Sequence, residues 1–192
     1  MWRPPANHRP LSNSTPPRPS PPPWTVPAQK DNLCTNVAVF DPRGRILLVQ
    51  RARYDYWMPQ KWEIPGGSAE RSDESILHGA ARELWEETQL VATGVRRVIA
   101  ENQGPDGGYA FRDEIRGVRF CRFAFEVEGE SCEGVILDPD EYQAYLWVGE
   151  DEVRDEKVGE REIPITDGSM RSLILEAIRL KGAGEGWGSV DG

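Results

Sequence analysis

The chain has only three cysteines, Cys34, Cys121 and Cys132, and none stands in a C-x-x-C spacing. A thiolate metal cage and a disulfide framework are both excluded, and a reducing compartment fits best. Cytoplasmic residence is the expectation, with nuclear or mitochondrial residence left open. No apolar run reaches the roughly eighteen residues that a membrane span requires, so no membrane partner is expected. Basic charge is also scarce, with 23 Lys and Arg against 32 Asp and Glu for a net charge of −9. Four of those cations, Arg3, Arg9, Arg18 and Lys30, fall within residues 1–30, which contain no acid. The rest of the chain therefore sets 19 basic against 32 acidic residues. Such a body disfavours stable binding to a nucleic-acid backbone. It remains compatible with a small nucleotide, because a bound cation reverses the local field. Oligomeric state has no signature in the sequence.

Ten of the sixteen prolines lie in residues 1–30, among Ser, Asn, Thr and Arg. Residues 1–31 are expected to form a disordered leader that cannot bury enough surface to fold. Its prolines forbid the amphipathic helix of a transit peptide. Residues 182–192 are expected to be a flexible Gly-rich tail. Between them, residues 32–181 suffice for one domain with a real core. Strands are expected over 33–40, 46–51, 62–64, 95–101, 118–127 and 144–148, with a proline–glycine turn at Pro42–Gly44. Glu150–Val153 suggests a short helix start. A terminal helix over 169–181 places Met170, Leu173, Ile174, Ala177 and Ile178 on one face, with Gly182 as its stop. Cys34 and Cys121 are expected as small buried hydrophobes. Mixed strands and helices give an α/β class.

The most informative stretch is Gly66–Leu90. A helix over about 74–88, capped by Ser72 or Asp73, places Leu77, Ala80, Ala81, Leu84 and Thr88 on an apolar stripe. Glu83, Glu86 and Glu87 fall on another side of the same cylinder. Like charges at that spacing destabilise an isolated helix by roughly 0.2–0.5 kcal/mol per pair, and the helix dipole adds to the penalty. A hard divalent cation removes the conflict, since Mg²⁺ takes oxygen ligands and keeps substrate phosphates in its shell. A solvated acidic face is the alternative. Gly66 and Gly67 let the backbone approach a ligand and aim amides at phosphate oxygens.

Glu74, followed after seven residues by Arg82-Glu83-Leu84-Trp85-Glu86-Glu87 and then Leu90, resembles the signature of the Nudix hydrolases, G-x5-E-x7-R-E-U-x-E-E-x-G-U with U aliphatic. Trp62-Glu63-Ile64-Pro65-Gly66-Gly67 is similar to the strand and turn that precede the box. Two positions depart from the pattern. Six residues separate Gly67 from Glu74 instead of five, and Gln89 stands where the family has glycine.

The resemblance implies an α/β/α sandwich with a mixed sheet. It also implies Mg²⁺-dependent hydrolysis of a diphosphate linkage in a nucleoside diphosphate joined to another group, with Mn²⁺ as an alternative metal. The substrate expected is a small nucleotide, of ADP-ribose type or another. Glu83, Glu86 and Glu87 match the ligand positions, and Arg82 is implied to orient them. Gly67 supplies a backbone contact, and Glu74 supports the loop or an outer shell. Glu63 and Glu70 are weaker ligand candidates, each expected to be solvated. Arg51 is a candidate phosphate contact, and Tyr54, Tyr56 and Trp57 are candidates to stack on a base or to pack as a lid. Glu141 is a candidate base, set against an ordinary turn acid. His78 is expected to face solvent, and Pro105 is a faint pointer to ADP-ribose. A non-catalytic module with the same fold stays open, as does a diphosphate isomerase, though no cysteine–glutamate pair supports the latter.

Overall fold

The computed structural model describes residues 32–99, 108–113 and 117–184. Strands β1 (Asn32–Val39), β2 (Ile46–Arg51) and β3 (Trp62–Glu63) lead into helix α1 (Ile76–Thr88). Strands β4 (Ala92–Ile99), β5 (Tyr109–Asp113), β6 (Val118–Gly129) and β7 (Tyr142–Val148) follow, then the short α2 (Glu150–Asp155). A two-residue hairpin, β8 (Lys157–Val158) and β9 (Arg161–Glu162), precedes the terminal helix α3 (Gly168–Gly182). The leader and Pro105 lie outside the described residues.

One sheet runs β1-β6-β4, with β5 also on β6. There β1 is parallel to β6, while β4 and β5 are antiparallel to it. A second, antiparallel sheet runs β3-β2-β7. Period-two alternation divides the core between helices on opposite faces. Val37, Val39, Leu47, Phe125 and Val127 pack with Ala80, Ala81 and Leu84 of α1. Ala38, Ile46, Leu48 and Ala124 pack with Met170, Leu173, Ile174 and Ala177 of α3. This is the α/β/α sandwich with a mixed sheet. Leu84 is fully buried, which stabilises the fold by roughly 1.5–3 kcal/mol.

Several element ends differ from the sequence reading. Helix α1 begins at Ile76 under Ser75, whose hydroxyl accepts from His78 N. Neither Ser72 nor Asp73 caps it, because Asp73 turns to Arg82. Leu77 leaves the apolar stripe and stands 41% exposed. Gly182 is the last residue of α3 and does not stop it, the cap being Ala183. Cys34 and Cys121 are half-buried, where full burial was expected. At the end of α1, Gln89 takes the left-handed conformation (φ 58°, ψ 11°) that glycine usually supplies. Its N–H donates to Trp85 O at 2.8 Å and its side-chain amide to the same oxygen at 3.3 Å. These bonds offset the strain, so the helix ends as the glycine form would.

The turn before α1 is held by backbone. Val37 N donates to Pro65 O and Thr35 N to Gly67 O, both at 2.8 Å, and Ala69 N donates to Leu33 O at 2.9 Å. Residues 65–69 thus lie along the free edge of β1 and bring Gly66 and Gly67 against the helix.

Candidate active site

Arg82 organises the exposed half of the site. Its Nε meets Asp73 Oδ1 at 3.1 Å, and one Nη2 bond reaches Ser68 O at 3.0 Å. Its Nη1 lies 2.9 Å from Glu83 Oε1 and 2.7 Å from Glu86 Oε2. A planar guanidinium with a fixed fork of donors suits this four-way clamp. Burial works against ionised Asp73, yet the Arg82 hydrogen bonds hold its carboxyl below the usual range. Gly67 lets Glu83 approach, since a Cβ there would stand 2.6 Å from Glu83 Oε2.

The buried half is built on Glu87, which is 3% exposed, so the solvated alternative does not hold for this residue. Its Oε2 accepts from Gly66 N at 2.8 Å and its Oε1 from the Tyr142 hydroxyl at 3.0 Å. The Gly66 amide, expected at a phosphate, is therefore given to a side chain of the protein itself. Glu63, expected to be solvated, is also buried, and its Oε1 meets Arg51 Nη1 at 2.5 Å. Arg51 was a candidate phosphate contact, but its guanidinium is turned onto Glu63, Asp55 and the Trp57 carbonyl. The register of β2 against β7 shifts between Gln50 and Arg51, so that Arg51 pairs with Tyr142.

These carboxyl groups disfavour one another's charge. Burial, with help from the Glu86 and Glu141 charges, pushes Glu83 up to about 7 despite Arg82. Burial and then Glu83 push Glu87 well above the carboxylate range, against the Gly66 hydrogen bond. Glu63 is raised by burial in spite of Arg51. Glu141 is solvent-accessible, as an ordinary turn acid would be, yet its charge acts on Glu83 and Glu87. It is raised by partial burial, by Asp138 and Asp55, and by Glu86. Its backbone carbonyl accepts from Ala52 N at 2.7 Å, tying the β7 entry to the loop after β2. Glu70 and Glu74 stand outside the cluster and are exposed. The His78 ring, 29% exposed, bonds Ser75 Oγ at 3.0 Å through Nδ1.

Among the described residues, no three Asp, Glu, His or Cys side chains are already grouped as a metal cage. The reason is visible: Arg82 occupies Glu83 and Glu86, while Gly66 and Tyr142 occupy Glu87. The donors nevertheless fit a hard divalent cation, being all oxygen and poorly compensated as anions. The Glu86 side chain is 47% exposed and has room to turn from Arg82 toward a cation.

Sequence reasoning missed Tyr142, Asp73 and the Arg51–Glu63 pair. Tyr142 was left just outside its expected strand, and Asp73 is separated from Arg82 by a loop whose path no periodicity reports.

The Nudix domain family model matches residues 31–167. The chain belongs to the Nudix family. A MutT-like protein of Streptomyces ambofaciens is 33% identical over 112 residues, covering 58% of this chain and 60% of that protein. An RNA pyrophosphohydrolase of Bartonella quintana is 27% identical over 134 residues, covering 60% of this chain and 74% of its own length. Among solved structures, the MutT protein from Methanosarcina mazei Go1 superimposes with a TM-score of 0.60 at 21% identity, over 80% of this chain and 98% of that one. A UDP-X diphosphatase superimposes with a TM-score of 0.56 at 17% identity, over 84% and 68%. These two likenesses concern the fold. Nudix hydrolases generally use a divalent metal, and pyrophosphate hydrolysis is the reaction class that accompanies the box. No helix among the described residues is long and apolar enough to cross a membrane.

Proposed function

We propose that this chain is a Mg²⁺-dependent Nudix pyrophosphohydrolase that cleaves the diphosphate linkage of a small nucleotide. The observation that carries the reading is the Arg82 clamp, which gathers Asp73, Glu83 and Glu86 beside buried Glu87. Glu83, Glu86 and Glu87 would hold the cation, with Mn²⁺ able to replace Mg²⁺. When bound, the ion supplies Lewis acidity and neutralises phosphoryl charge. Arg82 sets the direction of two carboxylates and offsets their mutual repulsion by charge-assisted hydrogen bonds. Glu141, accessible and electrostatically coupled to the cluster, is the side chain we assign to accept a proton from the attacking water. The carboxyl groups leave little positive charge for a polyanion, so binding of substrate and cation is expected to be mutually dependent.

Release of phosphate or nucleotide from ADP-ribose, dinucleoside polyphosphates and oxidised nucleoside triphosphates, with and without Mg²⁺, tests the reading. Turnover of at least one substrate that stops with chelator is the expected result. No release from any substrate with either metal would favour a non-catalytic module. Gln89, one of the two departures from the box, keeps the helix end in its left-handed form.

The base is expected to lie over the loop between β2 and β3. Tyr54 is 90% exposed and Tyr56 73%, and both flank Asp55, which is anchored on Arg51. Asp55 Oδ1 also accepts from Trp57 N at 2.8 Å, so the loop presents its aromatic rings from a fixed base. Base–aromatic stacking contributes about 1–3 kcal/mol on alanine substitution. The Tyr54→Ala/Tyr56→Ala double variant is therefore expected to raise KM about tenfold or more for a nucleotide, with kcat little changed. An unaltered KM would place the base elsewhere.

A further inference from the structure

Tyr142 is only 2% exposed and opens β7 directly across from Arg51 of β2. Its phenol oxygen lies 3.0 Å from Glu87 Oε1 and 3.3 Å from Glu63 Oε1. A phenol has one proton to donate, and the shorter approach directs it to Glu87. Glu63 is satisfied from the other side, because the same Oε1 takes Arg51 Nη1 at 2.5 Å. Arg51 is fixed in turn by Asp55 and the Trp57 carbonyl, with its guanidinium 4.9 Å from the Trp57 ring centre. Glu87 thus has one donor on each oxygen, Gly66 N–H on Oε2 and the phenol on Oε1. Two donors on two oxygens fix the plane of a carboxylate while leaving each oxygen a further lone pair. Hydrophobic packing alone would not require the hydroxyl, nor a charged pair behind it.

We propose that Tyr142 is a positioning residue, whose hydroxyl proton, left to Glu87 because Arg51 already satisfies Glu63, sets the carboxylate plane of Glu87 for a divalent cation. The assignment rests on the metal-dependent reading above. It also gives Arg51 a part in the site from inside the fold, through Glu63. Outer partners of this kind are worth about 10–100-fold in metal affinity or activity.

The test uses the full chain as wild type and Tyr142→Phe. Mn²⁺ affinity is measured by calorimetry with no substrate present, and kcat and KM are measured separately. In the folded variant, Mn²⁺ affinity is expected to fall about 10–100-fold and kcat to fall with it, while KM for nucleotide at saturating metal stays within about threefold. Unchanged Mn²⁺ affinity and kcat would reduce Tyr142 to a core residue and overturn the proposal. If wild type itself takes up no Mn²⁺ either alone or with nucleotide present, the metal-dependent reading fails, and the positioning role falls with it for that separate reason. A second measurement needs no phenylalanine variant. The chain carrying 3-fluorotyrosine at position 142 is expected to show its fluorine resonance shift when Mg²⁺ is added. A resonance indifferent to saturating Mg²⁺ or Mn²⁺ in a protein that binds them would also overturn the assignment.

Discussion

Glutamine at both positions 86 and 87 is expected to lower kcat by a factor of about 10³ or more without unfolding the protein. The magnitude follows from the several kcal/mol that a catalytic cation supplies, at about 1.4 kcal/mol per tenfold. The double substitution removes two of the three carboxylates assigned to hold that ion. Conservation of the fold follows from the surroundings of Glu87. Its carboxyl is 3% exposed, and its ionised form is already opposed by burial and by Glu83. A glutamine carbonyl can still accept from Gly66 N, and its amide can donate to the phenol oxygen of Tyr142. Glu86 has a side chain 47% exposed, so its replacement leaves no cavity. A melting temperature equal to or above that of the metal-free wild type, measured beside steady-state turnover, is the expected pattern. Undiminished turnover would remove both residues from the reaction, and a collapsed melting curve would show them to be structural.

The second large effect is on stability. Gly66→Ala is expected to cost about 3 kcal/mol or more, a drop of roughly 6–12 °C in melting temperature. A Cβ at this position would stand 2.1 Å from Thr35 O and 2.7 Å from Asn36 Cα. Both are backbone atoms of β1, which cannot swing aside as a flexible side chain would. The backbone itself has φ +153°, where a side chain adds strain. The Asn36 side-chain amide closes the remaining space, donating to Ile64 O at 3.2 Å. Gly44→Ala is the control. It also has a positive φ, +76°, but nothing lies within 4 Å of an added Cβ, so only the left-handed cost of about 1–2 kcal/mol applies. If the two variants melt alike in thermal scans, the clash at position 66 is relieved by a shift of the turn.

The parts of this protein that could be read in advance are those with a repeat. The apolar stripe through Ala80, Ala81, Leu84 and Thr88 is buried, and the long alternating segment of β6 is a strand. The acidic array of α1 was legible because residues on one helix have fixed mutual positions. What stayed hidden came from contacts between distant segments. Glu63 reads as a solvated acid until β2 and β3 pair and bring Arg51 to it. Tyr142 joins Glu87 across 55 positions of sequence. Strand β5 and the hairpin of β8 and β9 escaped notice for a different reason. Two residues each in β8 and β9 carry no period, and β5 follows a glycine-rich stretch that reads as turn. Leu77 shows the limit of the stripe itself, since this first-turn residue of α1 stands 41% exposed.

The turn that carries Gly66 and Gly67 has a consequence beyond hydrolysis. An outermost strand with unsatisfied amides is a template on which another chain can add. In β1 those amides are consumed, since Thr35 and Val37 donate to Gly67 O and Pro65 O. The segment that delivers the glutamates therefore also guards the molecule against ribbon-like self-association. Damage to that segment should be visible first as turbidity, before any loss of helical signal.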